Sequence, residues 1–145
     1  MVKVLIKRLN SEVKLPEYKT IGASGMDLIA FTDKSIKVKS KTSALIPTGL
    51  TVAFSNDYEI QIRPRSGLAA KNNITVLNTP GTIDSDYRGE ILIMLINHSK
   101  KDFEISRGMR IAQMVISKIE QFNLISVEEL RITQRGTDCF CSTWS

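Results

Sequence analysis

The sequence predicts an all-β protein, a distorted jelly-roll sandwich or barrel carrying one short helix. Short β-branched runs recur along the chain, turn residues separate them at close intervals, and helical periodicity is hard to find. At 145 residues and 42% hydrophobic, the chain is sized for one compact domain with its own core, followed by a tail.

Taken in order, the first expected strand is VKVLIK (2–7) and the second SIKVKS (35–40). The second lies within the densest basic stretch, KSIKVKSK (34–41), where Lys alternates with Ile and Val as on the solvated face of a strand. No aromatic residue interleaves there for base stacking. GLTVAF (49–54) and YEIQIR (58–63) follow, then one helical turn at GLAAK (67–71). NITVLN (73–78), EILIMLIN (90–97), DFEIS (102–106) and RIAQMVISKI (110–119) complete the strands. SVEEL (126–130) reads as a second short helix with Ser126 as its cap.

A net charge of +5 and a pI near 9.3 favour an anionic partner. Charge alone does not separate a nucleic acid from a small polyphosphate, and with no stacking residues in the basic run a nucleic-acid role is the weaker reading. No apolar run reaches the roughly 20 residues of a membrane span, and MVKVLIKRLN interrupts its apolar residues with charge. The expectation is a soluble cytoplasmic protein without a membrane partner. Two cysteines one residue apart, Cys139 and Cys141, and a single histidine build neither a disulfide framework nor a zinc site. His98 reads as a surface residue at a strand end.

Function concentrates in the breakers. IGASGMDL (21–28), RPRSGLA (63–69), NTPGTIDSDYRG (78–89), SRGMRIAQ (106–113) and the tail each combine Gly with charged or hydroxyl residues where a strand pattern starts or stops. In RPRSG, Pro64 fixes the chain between two arginines, and Ser66-Gly67 let backbone N–H groups approach a ligand closely. Arg65 can grip phosphate oxygens bidentately. A surface arginine at the start of a short helix accounts for the same pentapeptide equally well. GTIDSDYRGE places Asp84 and Asp86 beside Tyr87 and Arg88, in an expected tight hairpin between the 73–78 and 90–97 runs. One Asp suits a base acting on a bound water; the other, near Arg88, suits a structural ion pair or turn hydrogen bond. Unpaired hairpin N–H and C=O groups could read a nucleobase, rejecting a mismatched analogue by roughly 10⁴-fold.

In order and spacing these five segments resemble the motifs of the homotrimeric dUTP pyrophosphatases (dUTPases). SGMDL, RPRSGLA, NTPGTIDSDYRGE and RGMRIAQ agree with the first four almost residue for residue, and the likeness runs from about Val4 to the end. The resemblance implies a trimer of jelly-roll domains whose three sites are each assembled from all three chains. It also implies hydrolysis of dUTP to dUMP and pyrophosphate, which limits uracil incorporation into DNA and supplies dUMP for dTMP synthesis. Asp84 would be the general base that aims water at the α-phosphorus, and Tyr87 would lie under the deoxyribose and exclude a 2′-hydroxyl. Asn78, Gly81, Thr82, Ile83 and Leu92 would surround uracil. Arg65, Ser66, Gly67 and Gln113 would meet the triphosphate, with Arg110 helping or bracing a subunit contact. Asp27 would hold water on a Mg²⁺ chelated by the phosphates.

The family's fifth motif is a glycine-rich lid, and the resemblance divides the chain into a β domain over 1–134 and an arm over 135–145. Arg135 would reach the terminal phosphate, Phe140 would stack on uracil, and Ser142 and Thr143 would donate to phosphate oxygens. Asp138, Cys139, Cys141 and Trp144 stand where the family has glycine, which predicts weakened closure. A competing function is a non-catalytic trimer that binds dUTP and signals through occupancy. The related dCTP deaminases share the expected fold, but the hairpin here follows the dUTPase pattern.

Overall fold

The computed structural model describes residues 2–137. Its elements are β1 (Leu5–Arg8), β2 (Met26–Ile29), β3 (Ile36–Val38), β4 (Ser43–Pro47), β5 (Leu50–Ala53), β6 (Tyr58–Arg63), α1 (Ser66–Asn72), β7 (Ile74–Val76), β8 (Gly81–Ile83), β9 (Leu92–Asn97), β10 (Phe103–Ile105) and β11 (Arg110–Lys118). A four-stranded sheet runs β2-β11-β6-β8 and a three-stranded one β4-β9-β7, with β1-β5 and β10-β3 as two-stranded ribbons. Every pairing is antiparallel. This is the expected all-β jelly roll with one helix.

Period-two alternation puts Ile60 and Ile62 of β6, Ile93 and Leu95 of β9, Leu50 and Val52 of β5, and Ile74 and Val76 of β7 into one core. β11 breaks the period. Adjacent Ile111 and Ala112 are both buried, because a register shift between Arg110 and Ala112 turns the strand at its start. Asn97 is fully buried at the end of β9; its amide donates to Val38 O (3.0 Å) and Lys101 O (2.8 Å) and accepts from Ser99 N–H (2.9 Å). α1 bridges β6 to β7, buries Leu68, and ends at Asn73, whose φ of 55° lets its N–H reach Ala69 O.

The structure corrects five expectations. β2 begins inside the 21–28 segment read as a breaker, and β4 and β8 were not expected. Each is three to five residues long and takes its form from its partner strand rather than from its own pattern. Residues 126–130 form no helix: Val127 and Leu130 are exposed, and five residues without packing do not sustain one. The 73–78 and 90–97 runs do pair, Ile74 opposite Asn97 and Val76 opposite Leu95, but not through a tight turn. Between them β8 leaves to pair with β6 of the other sheet, so the connection stitches two sheets together.

His98 is exposed one residue past β9, as expected. Beyond β11, Ile119 N–H is held by Asp57 O, and residues 120–137 are exposed without helix or strand. Among the described residues no helix is long and apolar enough to cross a membrane.

Candidate active site

Three strands and a loop build a basic cluster at the β2 side of the large sheet. β11 carries Gln113 between Asp27 of β2 and Arg63 of β6 in register, and the chain leaves β6 through Pro64 into Arg65. Arg65 Nε donates to Asp27 Oδ1 at 2.7 Å and Arg110 Nη1 to Asp27 Oδ2 at 3.1 Å, so one carboxylate holds two guanidinium groups. Arg65 Nη1 also donates to Arg110 O (3.3 Å). Two of its five N–H donors are thereby engaged, leaving the others for an anion. The Asp27 side chain is only 18% exposed, so the pair is partly shielded from water. Gln113 Nε2 donates to Pro64 O at 2.9 Å, tying the RPRSG segment to β11.

A cleft of about 530 Å³ opens beside this cluster, lined by Arg65, Gly67, Lys71, Phe103, Met109 and Arg110 among others. Ser66 and Gly67 begin α1, and a side chain at 67 would meet no atom within 4 Å, so the backbone there is open to a ligand. The cleft walls carry three cations, Arg65, Lys71 and Arg110, and no carboxylate, with Asp27 paired to two of them, a balance that suits a polyphosphate.

The second cluster lies at the other edge of the same sheet. β8 pairs with β6 on one side only, leaving the other edge of Gly81–Ile83 without a strand. Asn78 packs its amide against Gly81: a Cβ at 81 would sit 3.2 Å from Asn78 Nδ2 and 3.3 Å from Ile62 Cβ. Directly after β8, Asp84 heads a turn closed by Tyr87 N–H to Asp84 O (3.1 Å), and its side chain stands in solvent. Arg88 Nη1 donates to Ser85 O (2.7 Å) and Tyr87 O (2.9 Å). Of the two expected anchors for the second Asp, an ion pair with Arg88 or a turn hydrogen bond, the ion pair is not formed among the described residues; the guanidinium braces the turn's carbonyls instead. Leu92, exposed at the start of β9, follows on the returning strand.

The dUTPase family model matches residues 11–144. The chain belongs to the dUTPase family. A deoxyuridine 5'-triphosphate nucleotidohydrolase from Rickettsia bellii is 54% identical over 144 residues, covering 99% of this chain and 96% of that one. One from Fusobacterium nucleatum is 51% identical, with 99% of each chain covered. The Staphylococcus bacteriophage 80alpha dUTPase solved with dUPNHPP superposes with a TM-score of 0.86, covering 97% of this chain and 98% of that one at 23% identity, a likeness of fold.

Within this dUTPase fold the residues singled out in the sequence fall into two groups. Asp27, Arg65, Ser66, Gly67 and Gln113 gather around one end of β6 and β11, and Asn78, Gly81, Thr82, Ile83, Asp84 and Tyr87 follow one another along β8 and the turn after it. Asp27 on β2 is separated from β8 by two strands, about 14 Å, whereas Arg65–Gly67 leave the end of β6, the direct partner of β8. None of the second group lines the basic cleft. Arg135 stands in the exposed stretch after β11, while Phe140, Ser142 and Thr143 lie outside the described residues. Among the described residues no three His, Cys, Asp or Glu side chains gather to hold a metal. A single carboxylate already shared by two arginines fits Mg²⁺ held mainly by phosphate and water, and not a protein-built cage. Sequence reasoning missed Gly25, where a Cβ would come within 2.9 Å of Gln113 Oε1, and Gly89, against which Tyr87 packs. Their presence in two Gly-rich motifs was the only signal.

Proposed function

We propose that the protein is a dUTP diphosphatase, hydrolysing dUTP to dUMP and pyrophosphate by attack of water on the α-phosphorus, and so limiting uracil entry into DNA while supplying dUMP. The observation that carries this reading is the open edge of β8 running directly into the turn headed by Asp84. An edge strand offers N–H and C=O groups that can pair with a base, and the carboxylate that follows suits a general base for water near the α-phosphorus. Asn78, Thr82, Ile83 and Leu92 flank the base, and crowding around Gly81 refuses a methyl at C5. Tyr87 lies under the deoxyribose.

Arg65, Ser66, Gly67 and Gln113 bind the triphosphate, with Arg110 beside them, and no covalent enzyme intermediate forms. Mg²⁺ bound with the triphosphate would offset charge at the α-phosphorus and on leaving pyrophosphate, and Asp27 is placed to hold it through water. The active assembly is a homotrimer in which one chain's β8 edge faces another chain's basic cleft. That none of the residues from Asn78 to Tyr87 lines the cleft beside Arg65 supports this, as do exposed apolar residues such as Leu5, Tyr18 and Ile21. Residues 135–145 form the arm, with Arg135, Phe140, Ser142 and Thr143 completing the site. Restoring glycine at 138, 139, 141 and 144 raises kcat/KM if closure is weakened there. The proposed compartment is the cytoplasm.

Assays with dUTP, dTTP, UTP and dCTP in ¹⁸O-water test the function. The expected result is pyrophosphate from dUTP alone, with the label in dUMP. Label in pyrophosphate would refute attack at the α-phosphorus, and ammonia from dCTP would favour a deaminase.

A further inference from the structure

We infer that Gly89 is a positioning residue for sugar selectivity: its missing side chain, together with the Glu90 carbonyl, fixes the Tyr87 ring as the surface that rejects a 2′-hydroxyl. This rests on the reading that Tyr87 faces the deoxyribose. The Tyr87 hydroxyl donates to Glu90 O at 3.0 Å, which folds the ring back over residue 89. A Cβ at 89 would stand 2.5 Å from Tyr87 Cζ and 3.0 Å from Cε2, and would overlap the hydroxyl oxygen. Such approaches are not tolerated, so any other residue at 89 displaces the ring.

Glycine is not needed there for backbone reasons, since φ at 89 lies outside the left-handed region. Alanine therefore suits the main-chain angles, and the three nearest atoms its Cβ would meet all belong to the tyrosine. The backbone has little room to yield instead. Thr51 Oγ1 donates to Arg88 O (2.9 Å), Gly49 N–H to Glu90 Oε1 (2.7 Å), Ile91 N–H to Leu50 O (2.8 Å) and Thr48 Oγ1 to Ile91 O (2.7 Å). Residues 88–91 are thus fastened to 48–51 on both sides of the glycine. The ring is the movable part, and a displaced ring neither supports the deoxyribose nor fills the space a 2′-hydroxyl needs.

The test compares kcat/KM for dUTP and UTP in the wild type, Gly89→Ala, Tyr87→Phe and Tyr87→Ala. Gly89→Ala is expected to narrow dUTP-over-UTP selectivity by about tenfold or more, chiefly through KM for dUTP. Tyr87→Phe, which loses only the tether to Glu90 O, narrows it less and in the same direction. This second variant keeps the inference testable if Gly89→Ala folds poorly. Wild-type selectivity in Gly89→Ala, or a proportional loss on both substrates, would overturn the inference if Tyr87→Ala loses selectivity. Retained selectivity in Tyr87→Ala would instead remove the sugar-facing reading of Tyr87, and the inference with it.

Discussion

Asp27 joins Arg65 from 38 residues away and Arg110 from 83 away, and the consequence is local: it aims two cations at one cleft. Asp27→Asn keeps the shape and removes the charge that orders both guanidinium groups. The expected outcome is binding of a non-hydrolysable dUTP analogue weakened about tenfold, ~1.4 kcal/mol, with EDTA present. Calorimetric titration without metal measures it, and unchanged affinity would mean that Asp27 acts through Mg²⁺ instead of through the arginines. RPRSG alone gave Arg65 two readings, phosphate binder or surface residue. Spacing could not resolve them, because the partner that orients the side chain is on a strand distant in sequence. Gly89 was hidden for the same kind of reason, since a glycine in a turn announces a bend and not the ring lying on it.

Among elements, the strands legible in the sequence were those long enough to show their own alternation, such as YEIQIR at 58–63 and the runs at 90–97 and 110–119. β2, β4 and β8 were not: β2 and β8 fall in Gly-containing segments read as breakers, β4 (SALIP) has little alternation of its own, and the extent of each is set by its partner strand. The misread 126–130 helix is the converse case, a local pattern with no surface to pack on. Asn97 shows how an element is ended rather than how it is patterned. Its buried amide ties β3, β9 and the 97–101 turn together, so Asn97→Ala leaves Val38 O and Lys101 O without this donor. The expected loss is about 2–3 kcal/mol in urea denaturation with an unchanged m-value; a loss below about 0.5 kcal/mol would contradict that role.

For the whole molecule, the proposed site draws its base-side and phosphate-side residues from different chains, which would make assembly part of the chemistry. Sedimentation should give the mass of three 16.2 kDa chains. Mixing Asp84→Asn with Arg65→Ala chains, each expected to be inactive alone, should restore intact pairs at about a quarter of the sites, as the proposed sharing of each site between two chains requires. No recovery in mixed trimers would mean that each chain builds its own site. In the proposed reaction, turnover at every site depends on one carboxylate, Asp84, directly after β8. The most direct measurement is pyrophosphate release from saturating dUTP by Asp84→Asn beside the wild type. A fall in kcat of about 10²–10⁴-fold with the analogue still bound is the predicted result, and wild-type turnover in the variant would contradict the account.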